Sequence, residues 1–246
     1  AVLNRAGASS QQQVQNLIIH PQYRSASQFD YDVALLELTH ASQIEPVSIL
    51  ADDAVSGEYA LVAGWGVSKT DATSGEPVAG SFSNFLQQAE LQIVDNQACQ
   101  QTLSYRLSDS MLCAGYPPGG RDSCSGDSGG PLIVQRDGVP HQVGLVSFGD
   151  GCGKPGRFGV YSRLSVVAAW ISSYTEVAAV KSTNAPRPVP YVAGTFDFSK
   201  EAAQTISARE GGGSVLWLLL IALLQLARAS CQSQRDNKIL RFNSAI

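Results

Sequence analysis

The segment Arg121-Asp122-Ser123-Cys124-Ser125-Gly126-Asp127-Ser128-Gly129-Gly130-Pro131-Leu132 determines how the rest of the sequence is interpreted. It sets one serine, Ser128, between an acid and two glycines, which is typical of a nucleophile on a tight turn. Glycines in such a turn permit positive φ and let a substrate carbonyl approach the main chain. The N–H groups of Gly126 and Ser128 are therefore predicted to hold a developing oxyanion.

A bare Gly-x-Ser-Gly pattern would also suit a Gly/Ser-rich surface loop with an incidental acid. The run Asp-Ser-Cys followed by Gly-Asp-Ser-Gly-Gly-Pro-Leu is far more specific. It resembles the serine motif of the trypsin-like serine proteases of the chymotrypsin family. The resemblance implies acyl transfer to Ser128, hydrolysis of the acyl-enzyme, and a histidine base. It also implies that Asp127 pairs with a new N-terminal amine after activation cleavage, which orders the oxyanion hole.

A second acid, Asp32, stands at the head of the apolar run Val33–Leu38. A strand-end acid facing water would fit that pattern, whereas a buried one would need hydrogen-bonding partners. With the preceding Ile-Ile-His-Pro-Gln-Tyr of residues 18–23, the segment resembles the aspartate segment of the same family. The resemblance implies that Asp32 orients the base and that Ser147 assists Asp32.

Asp122 lies six residues before Ser128, where the resemblance places the floor of the primary specificity pocket. A buried carboxylate is costly unless a cation pairs with it, and an incoming arginine or lysine would supply that cation. A loop acid facing water is the alternative. The predicted partners are therefore proteins or peptides that contain Arg or Lys. The predicted substrate-binding residues are Asp122, Ser123, Ser147, Gly149 and Gly159.

The composition is that of an exported globular protein. The 246 residues are 44% apolar and 15% charged, with a net charge of −4, and no basic run indicates nucleic-acid binding. The five cysteines lack the Cys-x-x-Cys spacing of metal sites, so disulfides are expected and no metal or other cofactor is. The resemblance favours Cys99 with Cys113 and Cys124 with Cys152, although spacing alone leaves three pairings open. Cys231 is left over and is expected to be free.

Short apolar segments separated by turn residues predict an all-β domain over residues 1–174. Asp95 is expected to cap a short helix, and Ser165 a longer one that ends near Tyr174. The resemblance implies two six-stranded antiparallel Greek-key barrels, the first incomplete because its opening strands are missing, followed by a C-terminal helix. Strands are predicted at 14–19, 32–38, 59–63, 86–94, 132–135, 142–147 and 158–161.

Beyond residue 174 the composition changes to a Pro-containing linker, 175–210, a Gly-Gly and hydrophobic segment, 211–230, and a polar tail, 231–246. The apolar run 215–227 would span about 20 Å as a helix, against about 30 Å of hydrocarbon core. A helix of that length is short for a stable span, and a buried core helix is one interpretation. The pattern of a Gly-Gly run, an apolar segment and a basic end resembles the bacterial Gly-Gly C-terminal sorting signal. That likeness implies a short tail helix with transient membrane contact through 215–227, a processing protease that acts on the tail, and a secreted or cell-surface bacterial protein.

The family's base lies in an Ala-x-His-Cys phrase upstream of the aspartate segment, and this sequence has no such phrase. Its three histidines are interpreted as surface or loop residues: His20 in His-Pro-x-Tyr, His40 close behind Asp32, and His141 in a turn after Pro140. The chain is therefore expected to be an N-terminally truncated endopeptidase, inactive and poorly folded alone, because a cut barrel exposes sheet edges and apolar surface. The alternative is a catalytically dead, protease-like binding module anchored at the cell surface.

Overall fold

The structure is a computed structural model that describes residues 12–42, 44–71, 74–136, 138–175, 179 and 181, together with the backbone of 240–242. These residues belong to one compact unit, 2–191 with 239–246. The second unit, 192–238 with the first residue, lies outside the described residues. Most of the predicted linker, the tail helix at 215–227 and Cys231 lie there as well, so the predicted domain boundaries stay predictions.

The predicted strands are all present, with bounds that differ by at most three residues from those predicted. In chain order the elements are β1 (Val14–Ile19), β2 (Ala34–Leu38), β3 (Ser48–Ile49), β4 (Tyr59–Gly64), β5 (Gln87–Val94), α1 (Asn96–Gln100), β6 (Met111–Gly115), β7 (Pro131–Arg136), β8 (Val139–Phe148), β9 (Gly159–Arg163), α2 (Leu164–Tyr174) and β10 (Leu240–Phe242).

Six of these strands close into an antiparallel barrel, in the order β4-β5-β6-β9-β8-β7 and back to β4. The strand β7 returns to lie beside β4 after the β4-β5-β6 meander, which is the strand order of a Greek key. The short strand β3 adds to the barrel in parallel with β8. The prediction of an all-β fold with a six-stranded barrel is therefore confirmed.

Two strands from the first part of the chain, β1 and β2, form a three-stranded sheet with β10 in the order β1-β2-β10, and the described residues form no second closed barrel. Large apolar side chains of β1 face solvent, since Val14, Leu17 and Ile19 are 49%, 56% and 46% exposed. This exposure agrees with the predicted incomplete first barrel. The strand β10 pairs antiparallel with β2 and lies in the segment predicted only as a polar tail.

Both helices form where they were predicted, but one cap differs. Asp95 caps α1, because its carboxylate accepts from the N–H groups of Gln97 and Ala98 at 2.8 and 3.2 Å. The prediction that Ser165 caps α2 was wrong: the chain leaves β9 directly into the helix, so Arg163 is the N-cap and Ser165 already lies in the first turn. No helix in the described part of the chain is long and apolar enough to cross a membrane.

A buried cluster joins the aspartate segment to the barrel and to α2. Val33 is 2% exposed, and Leu35 is fully buried. They belong to one apolar cluster with Leu145 of β8 and with Leu164 and other residues of α2. Because burial of such side chains is worth about 1.5–3 kcal/mol each, this cluster fixes the strand that begins just after Asp32.

Candidate active site

One cavity of about 300 Å³ collects most of the residues predicted to act on a substrate. Its wall is built from the serine loop, the end of β8 and the loop that leads into β9. Two further residues, Glu76 and Pro77, line it from a different loop and were not predicted. The predicted residues that line it are Asp122, Ser123, Ser128, Ser147, Gly149 and Gly159.

The turn around Ser128 leaves two amide groups open. Gly126 has φ +95°, a conformation that L side chains rarely adopt, and a Cβ there would lie 2.8 Å from the ring of Phe82. The turn is closed by Asp127 N–H donating to the Cys124 carbonyl at 2.9 Å. The N–H groups of Gly126 and Ser128, and the Ser128 hydroxyl, donate to no other group of the described residues. These donors are available to a bound molecule.

Asp127 is held by main-chain donors. Its Oδ1 accepts from Gly66 N–H at 2.8 Å, and its Oδ2 accepts from Cys124 N–H at 2.9 Å. Glycine is needed at position 66, because a Cβ there would lie 2.6 Å from this carboxylate. None of the ion pairs among the described residues involves Asp127. Its predicted pairing with a new N-terminal amine therefore stays a prediction.

Asp32 is buried, at 5% exposure, so it is not the water-facing acid of the alternative interpretation. Its Oδ2 accepts from the Ser147 hydroxyl at 2.6 Å, and its main-chain carbonyl accepts from the Ser162 hydroxyl at 2.5 Å. Its Oδ1 is buried and accepts no hydrogen bond from any described residue. Burial raises the pKa of Asp32, and the Ser147 hydrogen bond and the charge of Arg24 oppose that rise. An external N–H donor would satisfy Oδ1.

Asp122 contributes a carboxylate to the cavity wall. Its Oδ1 accepts from Ser123 N–H at 2.9 Å, and its Oδ2 accepts from Gly153 N–H at 3.0 Å. Burial raises the pKa of Asp122 to about 6, against these two hydrogen bonds, and the nearby charge of Asp127 raises it further. No ion pair within the described ranges neutralises Asp122. The carboxylate is thus partly desolvated and ready for a cation.

Small residues keep the space around Asp122 open. A Cβ on Gly159 would lie 3.1 Å from Asp122 Oδ1, so a side chain there would press on the carboxylate. A Cβ on Gly149 would touch the backbone of the loop that follows, 3.4 Å from the Gly151 carbonyl. Behind Ser123, the buried Tyr161 hydroxyl lies 3.1 Å from the Ser123 hydroxyl.

Two disulfides stabilise the loops around the site, with the pairing that the resemblance favoured. Cys124 is bonded to Cys152, with the Cα atoms 5.4 Å apart, which ties the serine loop to the opposite wall of the cavity. Cys99 is bonded to Cys113, with the Cα atoms 6.4 Å apart, which ties α1 to β6.

Sequence reasoning missed Asp30, which is 2% exposed and lies two residues before Asp32. Its carboxylate accepts hydroxyl hydrogen bonds from Ser108, Ser110 and Ser25 at 2.5, 2.6 and 2.7 Å. Burial works against ionisation, but these hydrogen bonds outweigh it and hold the pKa of Asp30 below its usual value. The only sign of this role in the sequence was the position of Asp30, an acidic residue in a polar loop two residues before Asp32.

His20 lies in the loop directly after β1, as predicted, but it is buried instead of lying at the surface. The residue is 5% exposed, and its ring stacks on Tyr31 at 4.7 Å and meets the edge of Trp170 at 4.6 Å. Its Nδ1 accepts from Gln22 N–H at 3.2 Å. Burial lowers the pKa of His20, and the negative charge of Asp30 opposes this. These contacts make His20 a packing residue.

The other two histidines also lie away from the cavity. His141 was predicted in a turn, but it is 7% exposed in strand β8, opposite Val134 of β7. The turn was placed wrongly because Pro140 is tolerated near the start of this strand. His40 is exposed beyond the end of β2, with its Nδ1 3.0 Å from the Thr39 hydroxyl. No histidine is among the described residues that line the cavity.

Comparison with known proteins agrees with this geometry. The family model described as Trypsin matches residues 2–171. The chain is 40% identical to Transmembrane protease serine 7 of Mus musculus over 171 residues, which is 65% of this chain and 20% of that protein. It is 38% identical to Trypsin eta of Drosophila erecta over 167 residues, 65% of this chain and 60% of that protein. It is 36% identical to the Suppressor of tumorigenicity 14 protein homolog of Bos taurus over 167 residues, 65% of this chain and 18% of that protein. The chain thus spans less than two thirds of the length of each of these relatives.

The family match covers most of the chain, and the Greek-key barrel brings Ser128 and Asp122 to one cavity. The protein therefore belongs to the trypsin family.

Proposed function

We propose that the protein is the serine-bearing part of an endopeptidase that cleaves peptide bonds after Arg or Lys. The observation that supports this most is the single cavity shared by Ser128 and Asp122. A nucleophile and a partly buried carboxylate without an ion-pair partner among the described residues suit a substrate that has a carbonyl to attack and a cationic side chain to bind. The relatives named above include a trypsin and a protease by name, which favours the same reaction class.

The chemistry would proceed by acyl transfer. The Ser128 oxygen forms a bond to the substrate carbonyl carbon while its proton passes to a histidine base. The resulting oxyanion accepts from the N–H groups of Gly126 and Ser128, which have no partner among the described residues. The C–N bond then breaks as the base returns its proton to the leaving amine. Water hydrolyses the acyl-enzyme by the same sequence of proton transfers.

The base is a histidine outside the three in this sequence. Asp32 Oδ1 is the atom that would orient it, since this oxygen is buried and without a donor, while Oδ2 is occupied by Ser147. An imidazole N–H donating to Oδ1 would satisfy the carboxylate and fix the tautomer that accepts the Ser128 proton. Residues 1–246 alone should therefore not turn over a substrate.

Specificity for a cationic side chain would come from Asp122. At neutral pH a carboxyl with a pKa of about 6 is mostly ionised, so it carries a charge that burial makes unfavourable. Arginine or lysine would neutralise it, and arginine could bind through two parallel hydrogen bonds. The glycines at 149 and 159 leave room for such a side chain.

The location is proposed from the relatives and the disulfides. A relative named as a transmembrane protease, together with two disulfides, supports a secreted or cell-surface protein. The named relatives come from mammals and an insect, and nothing in the comparisons supports the predicted bacterial origin. The processing protease and the membrane contact through 215–227 stay predictions, since that segment lies outside the described residues.

The specificity pocket can be tested on residues 1–246 without turnover. Benzamidine, a rigid aromatic cation, should bind in the cavity, and calorimetry should show that Asp122→Asn weakens binding by at least tenfold. Asp109→Asn, at an exposed acid outside the cavity, is the matched control and should leave binding unchanged. Equal benzamidine affinity in the wild type and Asp122→Asn would refute the cation pocket.

The origin of the base needs a second test. If the coding DNA upstream of Ala1 continues in frame through Ala-x-His-Cys, the complete protein should hydrolyse an Arg amide, and Ser128→Ala should abolish this without unfolding the chain. An in-frame start codon without that phrase would favour the other candidate, a protease-like binding module. The observation that supports this second candidate is that no histidine of the sequence lines the described cavity.

A further inference from the structure

A loop that the proposed reaction does not use forms one wall of the cavity. The loop runs between Gly66 and Phe82, and its described residues, 66–71 and 74–82, are joined by two isolated antiparallel bridges, Val67 with Phe82 and Thr70 with Pro77. Gly75 meets the disulfide wall of the cavity, where Cys152 N–H donates to the Gly75 carbonyl at 3.1 Å. The next two residues, Glu76 and Pro77, then line the cavity.

Glycine at position 75 is what allows this approach. It is buried, has φ +68°, and a Cβ there would lie 2.5 Å from the side chain of Lys154. The aliphatic stem of Lys154 therefore packs directly on the loop backbone. Together with the Cys152 hydrogen bond, this contact holds Glu76 at the cavity rim instead of leaving it on a free loop.

The charges around the rim are unbalanced. Glu76 and Asp122 are the acids among the described lining residues, and no lining residue is basic. Arg157 is paired with Asp150 at 3.6 Å, and Arg121 with Glu90 at 3.8 Å. Glu76 itself is exposed and takes part in none of the ion pairs found within the described ranges.

Lys154 lies close to this rim. Its Nζ lies 2.7 Å from the position that a Cβ on Gly151, a residue that lines the cavity, would occupy. It does not line the cavity and forms no ion pair with Glu76. The Glu76 carboxylate therefore has no ion-pair partner among the described residues, although the Lys154 side chain packs beside it on Gly75.

We infer that Glu76 is a second cation subsite, so that the cavity selects substrates carrying two positive charges, one held by Asp122 and the other by Glu76. The inference rests on the proposed function, because it takes the Asp122 cavity as the site of the first cation. The ligand class is a peptide with two basic side chains close together. Because Glu76 is exposed, the gain is modest, about two- to fivefold in affinity.

The test compares a monocation with dications on residues 1–246. Calorimetry measures binding of benzamidine and of bis-benzamidines with linkers of increasing length. Counted per amidinium group, because a bis-benzamidine has two equivalent ends, the wild type should bind the dication of best length about two- to fivefold more tightly than benzamidine, and Glu76→Gln should remove that gain while leaving benzamidine affinity unchanged. The dication should bind to Glu76→Lys more weakly than to Glu76→Gln, because the lysine repels the second cation. The gain should vanish near 1 M salt, where the Debye length is about 3 Å.

The controls separate this inference from the proposed function. Glu45→Gln removes an exposed acid that does not line the cavity and should retain the full dication gain. Benzamidine that fails to bind the wild type would refute the Asp122 pocket itself. Benzamidine that binds, with an equal dication gain in the wild type and Glu76→Gln, would refute the second subsite alone. Peptide amides with a second arginine before or after the first then show on which side of the first cation the subsite lies.

Discussion

Cation binding in the cavity is expected to weaken about tenfold between pH 7 and pH 5. The perturbation is protonation of Asp122, whose pKa is raised to about 6 mainly by burial. With that pKa, about nine tenths of the carboxyl is ionised at pH 7 and about one tenth at pH 5. A cation binds the ionised form, so the apparent affinity follows that fraction. A carboxyl with the ordinary value of 3.8 would be more than nine tenths ionised at both pH values and would give a flat profile.

The assay is calorimetric titration of benzamidine from pH 5 to pH 8, because benzamidine stays protonated throughout. A second readout comes from the protons released on binding. Near pH 6 about half of Asp122 carries a proton, so binding should release about half a proton per site, which is measured by repeating the titration in buffers with different ionisation enthalpies.

The sign of the effect is fixed by the cause. Burial favours the neutral form of Asp122 in the free protein, whereas a bound cation favours the charged form. At a pH near 6, where part of Asp122 is protonated, binding of the cation must therefore release a proton. Asp122→Asn should remove both the pH dependence and the proton release. An affinity that is the same at pH 5 and pH 7, or binding without proton release near pH 6, would contradict the view that Asp122 is desolvated by burial.

Three further predictions concern stability, measured by denaturant unfolding. Asp30→Asn should lower the free energy of unfolding by about 2 kcal/mol at pH 7, since it weakens charge-assisted hydrogen bonds from three serines. Because the pKa of Asp30 is lowered on folding, the difference in unfolding free energy between the wild type and Asp30→Asn should persist above about pH 4 and shrink as pH falls through the folded-state pKa. A difference that stays constant down to pH 2 would contradict this prediction. Arg136→Met should lower the free energy of unfolding by about 3–5 kcal/mol, because it leaves the buried Glu58 carboxylate without the cation that Arg136 Nε places 2.9 Å away. Adding Glu58→Leu should recover most of this loss, and no recovery would count against the importance of the pair. Replacing Cys124 and Cys152 by alanine should lower the free energy of unfolding by about 3–4 kcal/mol, because the disulfide closes a loop of 28 residues. The same change should weaken benzamidine binding, and an unchanged affinity would show that the disulfide does not shape the cavity.

The parts of the site that could be predicted from the sequence are those contained in one short segment. Asp122, Gly126 and Ser128 lie within seven residues, so a motif that names them also fixes their local geometry. Five of the six barrel strands were predicted for a similar reason, because apolar runs and the turns between them are local signals, whereas β6 (Met111–Gly115) was not predicted as a strand.

The features that were missed depend on contacts between distant segments. Asp30 meets Ser108 and Ser110 across 78 and 80 residues, and neither serine carries a local sign of that role. Glu76 lines the cavity next to Gly75, whose carbonyl accepts from the N–H of the distant Cys152. His141 was assigned to a turn from its proline neighbour, whereas pairing with β7 placed it inside a strand.

The anchors of Asp32 have a consequence for how the protein can be assembled. The residue belongs to the first part of the chain, yet its side chain and carbonyl are fixed by Ser147 and Ser162, which belong to the barrel strands β8 and β9. The barrel thus itself fixes the position of this carboxylate. If a separate polypeptide supplied the imidazole of the proposed mechanism, it would find Asp32 Oδ1 already positioned and without a donor among the described residues, so mixing two independently made pieces would be a direct way to look for reconstituted activity.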